Sequence, residues 1–221
     1  MRRAFEIGGL VAAVVLIAFG IGALVMGAKG NADVRDSIRQ EKIVGTPDMK
    51  PGAVAAAAKE AGLPASTPLP KCDVAGKTIA NGDDARCFAS YMRVHALEAT
   101  GGLTYAQMGR YVAKPGAPAK VTDGHGATND PQYALTDPKT QRPVDNGARN
   151  TWVTETALST ALNVSYMAEQ LALFGLVVGL ALLLAGIGFA VLAIGGALRN
   201  PETALTIFRR KDRAVTAAPT A

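Results

Sequence analysis

Three sets of residues in this chain have the types and spacing to do chemistry. Cys72 and Cys87 are its only cysteines. His95 precedes Glu98 by three residues, which on a helix puts an imidazole beside a carboxylate, as an acid–base pair requires. His125 lies in the flexible stretch Asp123-Gly124-His125-Gly126, with no serine or cysteine placed for nucleophilic catalysis. The simpler reading of a lone helical histidine is a hydrogen-bonded or surface residue. Two cysteines cannot close a structural zinc site, and His95 has no further ligand at metal-binding spacing. Gly101-Gly102 lacks the lysine and the preceding strand of a phosphate-binding loop. The expectation is no catalytic set, no metal and no cofactor.

The cysteines are better read as a disulfide, which forms and persists in oxidising compartments. Closing a loop of this length is worth about 3 kcal/mol by chain entropy. Two unrelated buried thiols are the alternative.

The compartment follows from two uncharged apolar runs, 7–27 and 171–198. Each is long enough for a hydrocarbon core of about 30 Å, which takes roughly 20 helical residues. Of all residues 49% are hydrophobic but only 5% aromatic, so the apolar share is mostly Ala, Val and Leu. A pI near 9.3 would suit a nucleic-acid binder, yet the surplus charge is not where one needs it. Arg2, Arg3, Arg199, Arg209, Arg210, Lys211 and Arg213 face only Glu6, Glu202 and Asp212 at the two ends, while the middle is nearly balanced. Basic ends flanking apolar runs mark cytoplasmic termini. Residues 1–6 and the basic tail 199–221 are therefore assigned to the cytoplasm, and 28–170 to the exterior. A cleaved signal peptide is the alternative for the first run, but 7–27 exceeds the usual 7–15 apolar residues of such peptides.

Between the runs, good helix formers continue the first helix to about Glu41, and Gly45-Thr46-Pro47 stops it. Residues 52–61 read as a short Ala helix, followed by a connector with Pro64, Pro68 and Pro70. Asp83 is the expected N-cap of a helix to Ala99 carrying Phe88, Tyr91, Met92 and His95 at helical spacing. Thr104 with Gln107 resembles a capping box opening a second short helix. Residues 113–147, rich in Pro and Gly, read as a long irregular loop. From about 148 a helix runs to 198 and begins beyond the bilayer, since its length exceeds roughly 70 Å. Asn200 and Pro201 then open a short interfacial helix ending in Arg209-Arg210-Lys211, or simply a stop-transfer cluster.

One pattern concerns packing. Small residues recur at a 3.5-residue period: Gly9, Ala13, Gly20, Ala23 and Gly27 in the first run. Ala168, Ala172, Gly175, Gly179, Gly186 and Ala193 do so in the second, which extends to Gly196. Small residues let membrane helices approach closely, and this period keeps them facing one partner. The expected partner is the other run of the same chain, in an antiparallel hairpin; the alternatives are another protein's helix, or mere composition. Neither run holds an ionisable residue, which disfavours a transporter.

The phrases Gly101-Gly102-Leu103-Thr104-Tyr105-Ala106 and Glu155-Thr156-Ala157-Leu158-Ser159-Thr160-Ala161-Leu162-Asn163, with the Ala/Gly-rich runs, resemble two-span envelope membrane proteins of high-GC actinobacteria. That resemblance implies no activity and transfers no functional residue. The sequence thus predicts an all-α, two-span plasma-membrane protein with a small extracytoplasmic helical domain. Its expected partners are the bilayer and other membrane proteins or itself, with no nucleic acid. The expected role is a non-enzymatic accessory or scaffold subunit. The alternative is an extracytoplasmic sensor or envelope enzyme with a site near His95 and the 113–147 loop.

Overall fold

A computed structural model describes residues 2–195. Its helices are α1 (Arg2–Gln40), α2 (Pro51–Glu60), α3 (Gly82–Ala99) and α4 (Gly147–Ile194). A small antiparallel ladder pairs β1 (Tyr111–Val112) with β2 (Ala127–Thr128), in register Tyr111↔Thr128 and Val112↔Ala127. The described chain is mostly helical, and α1 and α4 contain stretches long and apolar enough to cross a membrane. It divides into two units, Met1–Ala32 with Leu171–Ala221, and Asp33–Gln170.

In the first, apolar unit the small residues of the 3.5-residue pattern lie inside or half inside, whereas others such as Gly22 and Gly188 are exposed. Gly9, Ala13, Gly20 and Gly27 of α1 are buried, as are Gly179, Gly186 and Ala193 of α4; Ala23, Ala172 and Gly175 are half-buried. A Cβ at Gly20 would stand 2.7 Å from the Leu183 nitrogen and 2.9 Å from the Gly179 oxygen. One at Gly27 would stand 2.8 Å from the Ala172 oxygen, and one at Gly186 2.9 Å from the Ile17 nitrogen. Contacts that run from Gly27 with Ala172, through Gly20 with Gly179, to Ile17 with Gly186 pair rising numbers with falling ones. Large side chains point the other way: Phe19 is 70% exposed, Met26 76% and Leu171 68%. In the most apolar window of each helix only 17% of residues are buried. The core helix of a water-soluble protein buries its large side chains, so this outward face suits hydrocarbon.

The second unit, Asp33–Gln170, has an ordinary core. Tyr91, Ile79, Val54, Val74 and Val94 are almost wholly buried, with Ile38, Met49 and Leu162 around them. Pro51 starts α2, where a missing N–H costs nothing, and Val54 and Ala58 turn one face inward. The chain then pairs 43–45 with 76–79: Gly45 N–H donates to Lys77, Gly76 N–H to Gly45 and Ile79 N–H to Ile43, each at 2.9 Å. Gly45 is obligatory, because any Cβ would collide with the Val74 carbonyl. Cys72 and Cys87 are joined as a disulfide.

Several expectations need correction. The N-cap of α3 is Asn81, whose side chain accepts from the Asp84 N–H at 2.9 Å; Asp83 lies in the first turn. No helix follows Thr104. Gln107 Oε1 does accept from the Thr104 N–H at 2.8 Å, but only a turn forms. The following Gly109 lies against the Ala127 and Thr128 backbone, and the chain leaves as β1. The first helix ends at Gln40, as expected to within a residue, while the end expected for α4 at 198 lies outside the described residues, where α4 is given to Ile194. The 113–147 stretch is irregular but stitched by backbone bonds, among them Leu135 N–H to Val112 and Val144 N–H to Leu135. The expected tail helix after Asn200, and Gly196 of the small-residue pattern, lie outside the described residues.

Candidate functional site

Within the second unit, α3 lies along the first half of α4. Gly82 N–H donates to Glu169 Oε2 at 2.5 Å, Arg86 stacks 4.7 Å from the Tyr166 ring and Arg93 5.1 Å from the Trp152 ring. Glycine at 82 is required, since a Cβ there would stand 2.8 Å from the Tyr166 Cα. Glu169 also receives the Arg35 Nε at 2.6 Å, so one buried carboxylate joins α1, α3 and α4. From the other side the Tyr91 hydroxyl donates to the Cys72 carbonyl at 2.6 Å, and burial pushes that hydroxyl's pKa up.

These fixings leave a cavity of about 520 Å³ between the two helices. Met92, His95 and Ala96 wall it from α3; Thr151, Thr154 and Glu155 wall it from α4. Each set follows the spacing that puts residues on one helical face. His95 is held at one end: Nδ1 is 2.9 Å from Glu98, whereas Nε2 lies 3.4 Å from Asp48 with no hydrogen-bond partner. A hydrogen bond from Thr46 leads the causes that hold Asp48 below its ordinary value, with burial opposing and the His95 charge assisting.

Glu155 is the unusual member. It is 4% exposed, one of two buried carboxylates among the described residues, the other being Glu169. Its Oε1 has no hydrogen-bond partner, and its Oε2 has only the Thr156 hydroxyl at 3.4 Å. An unmet buried acceptor of this kind costs on the order of 1–3 kcal/mol. The neighbouring cations are held elsewhere, Arg149 3.9 Å from the Tyr105 ring and Arg93 on Trp152.

The expected pair of His95 with Glu98 is formed, whereas His95 and His125 do not share a site. His125 sits over Gly101, where an added Cβ would meet its Nδ1 at 2.7 Å. No residue of 113–147 lines the cavity. Asp123 instead spends its carboxylate on the loop, accepting the N–H groups of Gly109 (2.8 Å), His125 (2.9 Å) and Ala127 (3.0 Å). Burial raises its pKa, but those three bonds and the His125 charge outweigh burial and hold it below its ordinary 3.8. Among the described residues no three His, Cys, Asp or Glu side chains gather as a metal site. Of the small residues at 3.5 spacing, Ala168 belongs to this unit and is half-buried.

Reading from motifs missed Glu155 and Glu169. A signal was present: they are the only carboxylates between Arg149 and Arg199, and they stand two heptads apart, on one face of the helix. No protein-family model, curated protein or solved structure matches the chain.

Proposed function

We propose that this chain is a two-span membrane subunit whose helices form an antiparallel hairpin, and that it serves as an accessory or scaffold component of a cell-envelope complex. The observation that carries the reading is the inversion in the apolar unit. Glycines there meet backbone at Gly20, Gly27, Gly179 and Gly186, while large apolar side chains face outward. Helices in hydrocarbon associate by such close packing, because lipid gives no hydrophobic push. The outward face is left for lipid and for the helices of other proteins. The Asp33–Gln170 unit is extracytoplasmic in this reading, and both termini are cytoplasmic. Its disulfide supports that side of the membrane, as do the basic ends of the chain.

Gentle affinity purification from native membranes, with mass spectrometry of what accompanies the chain, tests the reading. A stoichiometric membrane partner of known activity is the expected result. A chain that emerges alone overturns the scaffold role. Reagents that label single cysteines from one side only, applied to variants at Lys59 and in the basic tail, test sidedness independently.

A further inference from the structure

The α3–α4 cavity combines three properties. Its wall is mostly apolar, with Met92, Ala96, Thr151 and Thr154 beside the polar His95 and Asn150. It contains a carboxylate that is almost fully buried and has an oxygen without a partner. The two arginines on neighbouring turns are held on aromatic rings, not on that carboxylate. A carboxylate accepts hydrogen bonds and donates none when ionised, so its complement is a cationic donor. A bare metal ion fits poorly, since among the described residues no cluster of three ligands surrounds the position. Met92 also lines a second, mostly apolar cavity of about 560 Å³, walled by Ile38, Phe88, Leu158 and Leu162 with Glu41 among its polar members. Met92 is thus common to the two cavities, whereas Glu155 lines the first alone.

We propose that this cavity binds an organic ammonium ligand, its charged head on Glu155 and its alkyl body running past Met92. His95 lines the same cavity: its Nδ1 is 2.9 Å from Glu98, whereas its Nε2 is buried without a hydrogen-bond partner and lies 3.4 Å from Asp48. This site is separate from the scaffold reading and rests on different residues, so either can fail alone.

The experiment uses the full chain in nanodiscs of zwitterionic phosphatidylcholine, titrated with hexylammonium, butylammonium and 1-hexanol. The readout is the fluorescence of Trp152, the only tryptophan, which adjoins the lining residue Thr151. Hexylammonium is expected to bind saturably, at least tenfold tighter than 1-hexanol. It should also bind about tenfold tighter than butylammonium, as two buried methylenes imply. Glu155→Gln, which keeps the shape and removes the charge, should weaken hexylammonium at least tenfold and leave 1-hexanol unchanged. Thr154→Phe, at an exposed rim position, should block both. Equal affinity for ammonium and alcohol overturns the proposal, as does undiminished ammonium binding in Glu155→Gln. Equal affinity for the two chain lengths overturns the path past Met92.

Discussion

The two units place their residues in opposite ways. In the apolar unit the glycines and alanines at 3.5-residue spacing are inside or half inside, and Phe19, Met26 and Leu171 are outside. In the Asp33–Gln170 unit Tyr91, Ile79 and Val54 are inside, and the exposed surface mixes charged and polar side chains with some apolar ones such as Val44 and Met167. The same two helices, α1 and α4, contribute to both arrangements. What changes along them is the solvent each surface is built to meet. Against water, burying a large apolar side chain is worth roughly 1.5–3 kcal/mol, so large residues fill the core. Against hydrocarbon that gain vanishes, and closeness of approach decides, so the smallest residues take the contact.

The sharpest break of this contrast is Gly20→Leu or Gly179→Leu. Each would drive a side chain into backbone under 3 Å away. A loss of more than about 3 kcal/mol of helix pairing is expected, because backbone cannot step aside as a side chain can. Gly22→Leu, with nothing within 4 Å, should be silent. Cross-linking between α1 and α4 in membranes reads both. Equal tolerance of leucine at 20 and 22 would remove the inversion argument.

Next in size is the disulfide. Replacing Cys72 and Cys87 together by Ser should cost the second unit about 3 kcal/mol, measured by denaturant unfolding, and leave the α1–α4 cross-link yield unchanged. Glu169→Ala should cost about 1–3 kcal/mol, mainly through the unmet Gly82 N–H. The Arg35 partner adds little, since its side chain is 45% exposed. Faster amide exchange confined to the first turn of α3 is the signature to seek.

The smallest effect is acid sensitivity of the loop. Asp123 has a folded pKa below its ordinary 3.8. Its stabilisation is therefore complete above the unfolded value and disappears as pH falls through the lower folded one. Amide exchange at Gly109, His125 and Ala127 should accelerate in that window, and Asp123→Asn should abolish the pH dependence while leaving the apolar unit untouched.

The sequence was legible where structure is local. The apolar runs need only length, and α2 and α3 need only periodicity and breakers. The 3.5-residue spacing picked out positions that are buried or half-buried in the apolar unit, because a helical face repeats whatever it packs on. Legibility failed where distant segments decide. Thr104 and Gln107 make their local bond, yet the pairing of Tyr111 with Thr128 and of Val112 with Val144 carries the chain away from a helix. A capping bond nucleates poorly without following turns to propagate it. The cavity was invisible for a related reason: His95 was readable on its own helix, but Glu155 reaches it only by the packing of α3 on α4.

The disulfide has one more consequence. It ties the ends of a segment whose middle carries the exposed Lys77, a natural point for a trypsin-like protease. A cut at Lys77 opens a peptide bond but releases nothing, since both new ends remain on one covalent molecule. Severing this chain there takes two lesions of unlike chemistry, one hydrolytic and one reductive, and neither suffices without the other.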